Sequence, residues 1–182
     1  MKVILLRHEE RGVDVGFFSE LTTDGFINSM ELPKKLMSYN IDFIFSSPFV
    51  RTLETSFFIS LNRNIPVNVE YALHEYLHSP YFLFDQWYHT IDEIQNKRLT
   101  SIVNRRYKSI ITKDYFKVLE DEKNLERRII PFFDYLLNNY SSKTILIISH
   151  KGVINKIKDL YIKKTDMDDE FPMGHFEVYN IL

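Results

Sequence analysis

Arginine and histidine stand at three places where apolar runs of the 182-residue chain stop. Val3-Ile4-Leu5-Leu6 leads into Arg7-His8-Glu9-Glu10; Phe43-Ile44-Phe45 leads into Ser46-Ser47-Pro48 and then Arg51; residues 144–148 lead into Ser149-His150-Lys151-Gly152. A guanidinium forks onto anionic oxygens. Imidazole is the side chain that serves as nucleophile or base near neutral pH. The combination suits capture of a phosphate and attack on its phosphorus. His8, Glu9, Glu10 and His150 also offer nitrogen and oxygen ligands, but Arg7 and Arg51 would repel a cation from the same pocket. No metal and no cofactor are therefore expected. His74, His78, His89 and His175 lack metal-ligand spacing and read as surface or satisfied interior groups.

Positioning these residues is the task of the apolar runs. Those at residues 3–6, 43–45 and 144–148, with a weaker one at 67–69, read as buried strands. Helical spacing fills the intervals, which predicts an α/β fold: a three-layer sandwich with a mostly parallel central sheet and helices on both faces. In such a sheet ligands bind at the carboxyl ends of the strands. Thr22 or Thr23 caps a predicted helix running to about residue 39, with Pro33 as a kink. Ser47-Pro48 reads as the start of another helix. Residues 122–140 form a long amphipathic helix despite Pro131, and residues 175–182 alternate as an edge strand does. Residues 79–119 carry no strand signal; Tyr81, Phe82, Phe84, Trp87 and Tyr88 precede Lys97, Arg98, Arg105, Arg106 and Lys108. This stretch is expected to be a helical hairpin or lid inserted into one domain spanning residues 1–182.

The composition, 45% hydrophobic and 26% charged, is that of a globular protein. A net charge of −2 and a pI near 6.3 supply no bulk attraction for nucleic acid or an acidic membrane. Without cysteine there are no disulfides and no thiolate metal sites. The first apolar run meets a charge at Arg7, unlike a secretory leader, and no apolar stretch is long enough to span a bilayer. A cytoplasmic protein acting on a small phosphorylated partner is expected; oligomeric state is not legible.

Four motifs in order, Arg7-His8-Glu9, Leu21-Thr22-Thr23-Asp24-Gly25, Ser46-Ser47-Pro48-Phe49-Val50-Arg51-Thr52 and Ser149-His150-Lys151-Gly152, resemble those of the histidine phosphatase superfamily, the phosphoglycerate mutase-like branch 1. The resemblance implies a phosphoglycerate mutase-like fold. It implies that His8 is the nucleophile, that Arg7 and Arg51 clamp the phosphoryl oxygens, and that His150 completes the pocket. Glu75 stands where the family places its acid, with Glu70 nearby as the alternative; kept protonated, Glu75 would donate to the leaving group. Glu122-Lys123 stands at the place of a Glu-Ser pair, followed by Arg127 or Arg128. The implied activity is metal-independent hydrolysis of phosphomonoesters through a phosphohistidine. The alternatives are a phosphoglycerate mutase, with Arg105-Arg106-Tyr107 gripping a substrate carboxylate, and a phospho-ligand or protein-binding module without turnover.

The chain departs from the family pattern where Glu9 and Lys151 replace glycines. A carboxylate beside a phosphate repels it, so either Glu9 points away or it pairs with Lys151; the opposite charges at equivalent positions after the two histidines lead to the expectation of a compensating Glu9–Lys151 pair near the pocket. Tyr76-Leu77-His78-Ser79-Pro80 replaces a glycine-bearing turn of the mutases, which disfavours mutase activity.

Overall fold

The computed structural model describes residues 1–79, 89–112 and 119–181. Its centre is a five-stranded sheet in the order β3-β2-β4-β1-β5, built from β1 (Lys2–Arg7), β2 (Phe43–Ser46), β3 (Val67–Val69), β4 (Thr144–Ser149) and β5 (Phe176–Asn180). β1 runs parallel to β4, β4 to β2 and β2 to β3; β5 alone is antiparallel, on the outer edge of β1. The alternating tail thus takes the edge position that its pattern predicts.

Strand pleating sends successive side chains to opposite faces, and both faces are apolar here. Ile4, Leu6, Ile44, Leu146 and Ile148 pack with Leu32 of α1 (Thr23–Lys35) and Leu53 of α2 (Val50–Arg63). Val3, Leu5, Phe45, Ile145 and Ile147 pack with Phe132 of α4 (Glu122–Asn139) and Ile154 of α5 (Lys151–Tyr161). The short α3 (Lys97–Ser101) adds Leu99 to the first cluster. Burial on both sides explains why these strands read as unbroken apolar runs.

Two boundaries and one segment differ from the sequence reading. α1 ends at Lys35, and the chain leaves it through tighter turns in which Met37 N–H reaches Lys34 O and Tyr39 N–H reaches Leu36 O. α2 starts at Val50, because Ser47 and Pro48 form the turn before it. The Ser47 carbonyl accepts from Thr52 Oγ1, and its hydroxyl lies 2.8 Å from His150 Nε2. The described part of residues 79–119 is no helical hairpin: it holds a 3-10 turn at Ile91–Glu93 and the five-residue α3. Its loop is held instead by buried Glu70, which accepts from Tyr107 Oη (2.5 Å), Ser109 Oγ (2.6 Å) and Ile110 N–H (2.9 Å). The aromatic residues 81–88 lie outside the described residues.

Thr22 is the cap of α1, accepting from Gly25 N–H at 3.0 Å. Its own N–H donates to Glu10 O at 2.9 Å, which presses the first helical turn against the segment following His8. A Cβ on Gly25 would lie 2.1 Å from Glu10 O, so only glycine fits this contact. Gly25→Ala is expected to destabilise the protein by about 1–3 kcal/mol, as overpacking does. Chemical denaturation measures this, and a wild-type midpoint would contradict the contact.

Candidate active site

Parallel pairing puts the carboxyl ends of β2, β4 and β1 side by side. Arg7 lies opposite Ser149, and the ladder continues one residue further: His8 N–H donates to Ser149 O and Ser47 N–H to Ile148 O, each at 3.0 Å. His8 and His150 are therefore neighbours, with ring centroids 5.2 Å apart and planes at 63°. Arg51, in the first turn of α2, and Glu75, after the 3-10 turn Tyr71–Leu73, close the cluster. All five residues that the sequence singles out, Arg7, His8, Arg51, Glu75 and His150, meet at this end of the sheet, where Arg7 and Glu75 also line one cavity.

His8 is buried, and its Nδ1 lies 2.7 Å from Glu9 O. A carbonyl only accepts, so Nδ1 carries the proton and Nε2 keeps a lone pair. Burial, with help from His150 and Arg51, holds the His8 pKa well below the usual range. Burial likewise lowers His150 to about 4. Both rings are neutral at pH 7.

Arg51 is fully buried and donates to Gly16 O at 2.8 Å and Val15 O at 3.2 Å. Its Nη2 lies 3.3 Å from both Glu75 Oε2 and His150 Nδ1. Burial lowers its pKa to about 10, which leaves it charged. Arg7 donates Nη1 to Phe171 O at 2.7 Å. The Nε–H groups of Arg7 and Arg51 are buried without a hydrogen-bond partner. Buried donors of this kind are costly unless an acceptor meets them, and an anion in the cluster would supply it.

Glu75 differs from the expectation of a protonated acid. Burial opposes its ionisation, but His150 Nδ1 at 3.2 Å and the Arg51 guanidinium outweigh that and hold the carboxyl well below the usual range. Glu70, the alternative acid, is spent on the loop described above.

His8, Glu75 and His150 each bring a ligand atom within 4.8 Å of the others. Arg51 within hydrogen-bond distance of two of them opposes a cation there.

The Glu9–Lys151 pair does not form. The Glu9 side chain is buried against Gly174, whose φ of +70° and missing Cβ leave room for the carboxyl. Lys151 Nζ lies instead 3.4 Å from Asp168 O. Of the two explanations the structure takes the first: Glu9 turns away, while its N–H donates to Thr55 Oγ1 on α2 and its carbonyl orients His8. Arg105 and Tyr107 do not reach the site either, since Arg105 pairs with Asp92 and Tyr107 with Glu70.

One group, Arg11, escaped the sequence reading. Arg11, unremarkable in composition, lines the cavity beside Arg7. Arg128 on α4, one of two candidates after Glu122, proves to be the buried one. It forks onto Glu120 at 2.7 and 2.9 Å and donates to the carbonyls of Ala72 and, at 3.2 Å, Glu75. This pair fixes the backbone that presents Glu75.

A family model, histidine phosphatase superfamily (branch 1), matches residues 9–178. The chain belongs to that superfamily. Solved structures agree at the level of fold. A Shigella flexneri alpha-ribazole phosphatase is 19% identical at a TM-score of 0.67, covering 98% of this chain and 89% of its own. An ecdysone phosphate phosphatase from Bombix mori, in complex with tungstate, is 15% identical at 0.69, covering 97% and 88%. A mycobacterial glucosyl-3-phosphoglycerate phosphatase in complex with VO3 is 16% identical at 0.67, covering 97% and 91%. No curated protein sequence matches the chain.

Two outcomes are expected of this histidine phosphatase. Arg128→Met leaves Glu120 charged and unpaired in the interior and should cost about 3–5 kcal/mol in urea denaturation; the loss should shrink in Arg128→Met with Glu120→Leu. The second concerns acid. Because the folded pKa of His150 lies near 4 and the unfolded value near 6.5, the unfolded chain binds more protons between them, so stability falls as pH drops through that window. From pH 7 to 5 His150 contributes a loss of about 2 kcal/mol. Denaturation at both pH values checks this, and a smaller difference in His150→Asn would assign it.

Proposed function

We propose that this histidine phosphatase hydrolyses phosphomonoesters without a metal, through a phosphohistidine on His8. The observation that carries the reading is a neutral, buried His8 whose Nδ1–H is tied to a carbonyl, beside two arginines with unpartnered buried Nε–H groups. The neighbours' printed names as phosphatases support the same reaction class.

A phosphate dianion bound by Arg7 and Arg51 has its oxygen charge offset where charge develops in the transition state. His8 Nε2 attacks phosphorus, the N–P bond forms, and the ester P–O bond breaks with its electron pair on the leaving oxygen. Glu75 supplies the proton that this oxygen needs. The carboxyl is ionised in the free protein because of Arg51 and His150; a dianion among those groups offsets their pull and favours protonation of Glu75. In the second half Glu75 takes a proton from water, the water oxygen bonds to phosphorus, and the P–N bond breaks to return neutral His8 and free phosphate. His150 supports the charge on the phosphoryl oxygens. General acid help of this kind is worth about 10²- to 10⁴-fold.

Of the three residues of the mutase grip, Arg105 and Tyr107 are engaged elsewhere and Arg106 is exposed, which weighs against the mutase reading. Of the two features behind the binding-module reading, Glu9 turns toward Gly174, whereas Lys151 lines the cavity.

Incubation with para-nitrophenyl phosphate in the presence of a chelator tests the proposal. Release of free phosphate is expected, falling by at least about 10³-fold in His8→Ala, with an acid-labile phosphoryl label on the wild-type protein during turnover. Turnover that survives in His8→Ala, or that the chelator abolishes, would sink the phosphohistidine route. Isomerised phosphoglycerate without phosphate release would identify a mutase.

A further inference from the structure

The cavity over the cluster has a volume of about 430 Å³, room for a small leaving group. Its charged lining is asymmetric once existing pairs are removed. Among the acids, Glu75 is engaged by Arg51 and His150, and Glu122 is engaged by the buried Lys156 at 2.7 Å. Among the described lining residues only the exposed Asp168 carboxylate is left. Among the bases, Arg7, Arg11 and Lys151 form no ion pair with any described residue.

Arg11 is held in place rather than free to wander. Its Nη1 donates to Gly12 O at 2.7 Å and Asp14 O at 3.1 Å, and its Nε–H is buried without a partner. It stands close to both phosphate-binding arginines: burial is the main force lowering the Arg7 and Arg51 pKa values, and the Arg11 charge adds to it in each case. Lys151 occupies the first position of α5, directly after His150. Its Nζ contacts one carbonyl, Asp168 O at 3.4 Å. Tyr76 packs against Gly152 and lines the wall between Glu75 and Lys151.

We propose that Arg11 and Lys151 form a leaving-group subsite, and that the substrates of this enzyme are phosphomonoesters whose leaving group carries a second anionic group, a carboxylate or another phosphate. The proposal rests on the phosphatase reading above. One phosphate dianion is matched by Arg7 and Arg51, which leaves two unpaired cations at the mouth. A neutral leaving group would desolvate them without compensation, whereas a second anion forms charge-assisted hydrogen bonds with them. Lys151 thereby gains a use at a position that in the family motif is glycine.

The test compares substrates that differ in the second anion alone: 3-phosphoglycerate against glycerol 3-phosphate for a carboxylate, and fructose 1,6-bisphosphate against fructose 6-phosphate for a phosphate. The doubly anionic member of at least one pair should have a kcat/KM about tenfold or more higher, and the favoured pair names the second anion. In Arg11→Gln and Lys151→Gln the ratio within that pair should shrink several-fold; because it is an internal ratio, partial loss of folded protein does not move it. Equal kcat/KM within both pairs, or a ratio that neither variant changes, would overturn the subsite while leaving the phosphatase reading intact. Absence of phosphate release from every ester, para-nitrophenyl phosphate included, would instead remove the reading on which it rests.

Discussion

Everything at the site depends on the parallel pairing of β1 with β4, in the register that places Arg7 opposite Ser149. Parallel strands end together, so two segments about 140 residues apart deliver their terminal histidines to the same edge. The ladder does not stop at the last strand residue: the His8–Ser149 and Ser47–Ile148 backbone hydrogen bonds carry it into the site. A shift of one residue would turn Leu5 and Leu6 to opposite faces and break both cores at once. The apolar faces that stabilise the sheet are thus also what hold His8 and His150 at 5.2 Å.

On that frame the electrostatics follow from burial. Arg51 is a charge in the interior, a costly placement unless it is hydrogen bonded, and its partners are two loop carbonyls and one carboxylate, with the His150 ring beside them. Burial, with the Arg51 charge adding to it, keeps the two histidines uncharged, and His150 together with Arg51 keeps Glu75 ionised. In the proposed reaction the two arginines offset the charge of the incoming dianion and the uncharged His8 attacks, while the ionised Glu75 opposes the dianion until it takes up a proton. Arg128, buried on the other side of Glu75, supplies no charge to the pocket. Its role is to hold two carbonyls of the segment that carries the acid, with Glu120 offsetting its charge.

Much of this was legible from residue order. Unbroken apolar runs mark strands buried on both faces, so β1, β2 and β4 could be read directly, and the reactive residues at their ends could be assigned to one pocket through the carboxyl-end rule. Glu75 was legible through its motif position, yet its ionisation was not, since that depends on the distances to Arg51 and His150. The Glu9–Lys151 pairing was a reasonable inference from opposite charges at matching positions, and it failed because Gly174, distant in sequence, leaves a pocket for the Glu9 carboxyl on the other side of the strand. The loop at residues 104–111 carries arginines that look ready for a substrate, but a buried carboxylate, Glu70, ties it down from within.

By itself the sequence determined which strand ends carry the reactive groups and the choice of Arg, His and Glu as the chemistry, because these are properties of local pattern and side-chain type. The tertiary structure alone decided which charges remain unpaired. Glu122 and Glu75 look as available as Asp168 when read along the chain, and Arg105 as available as Arg11. Pairing energy depends on separation in space and on burial, and neither quantity is a property of sequence position.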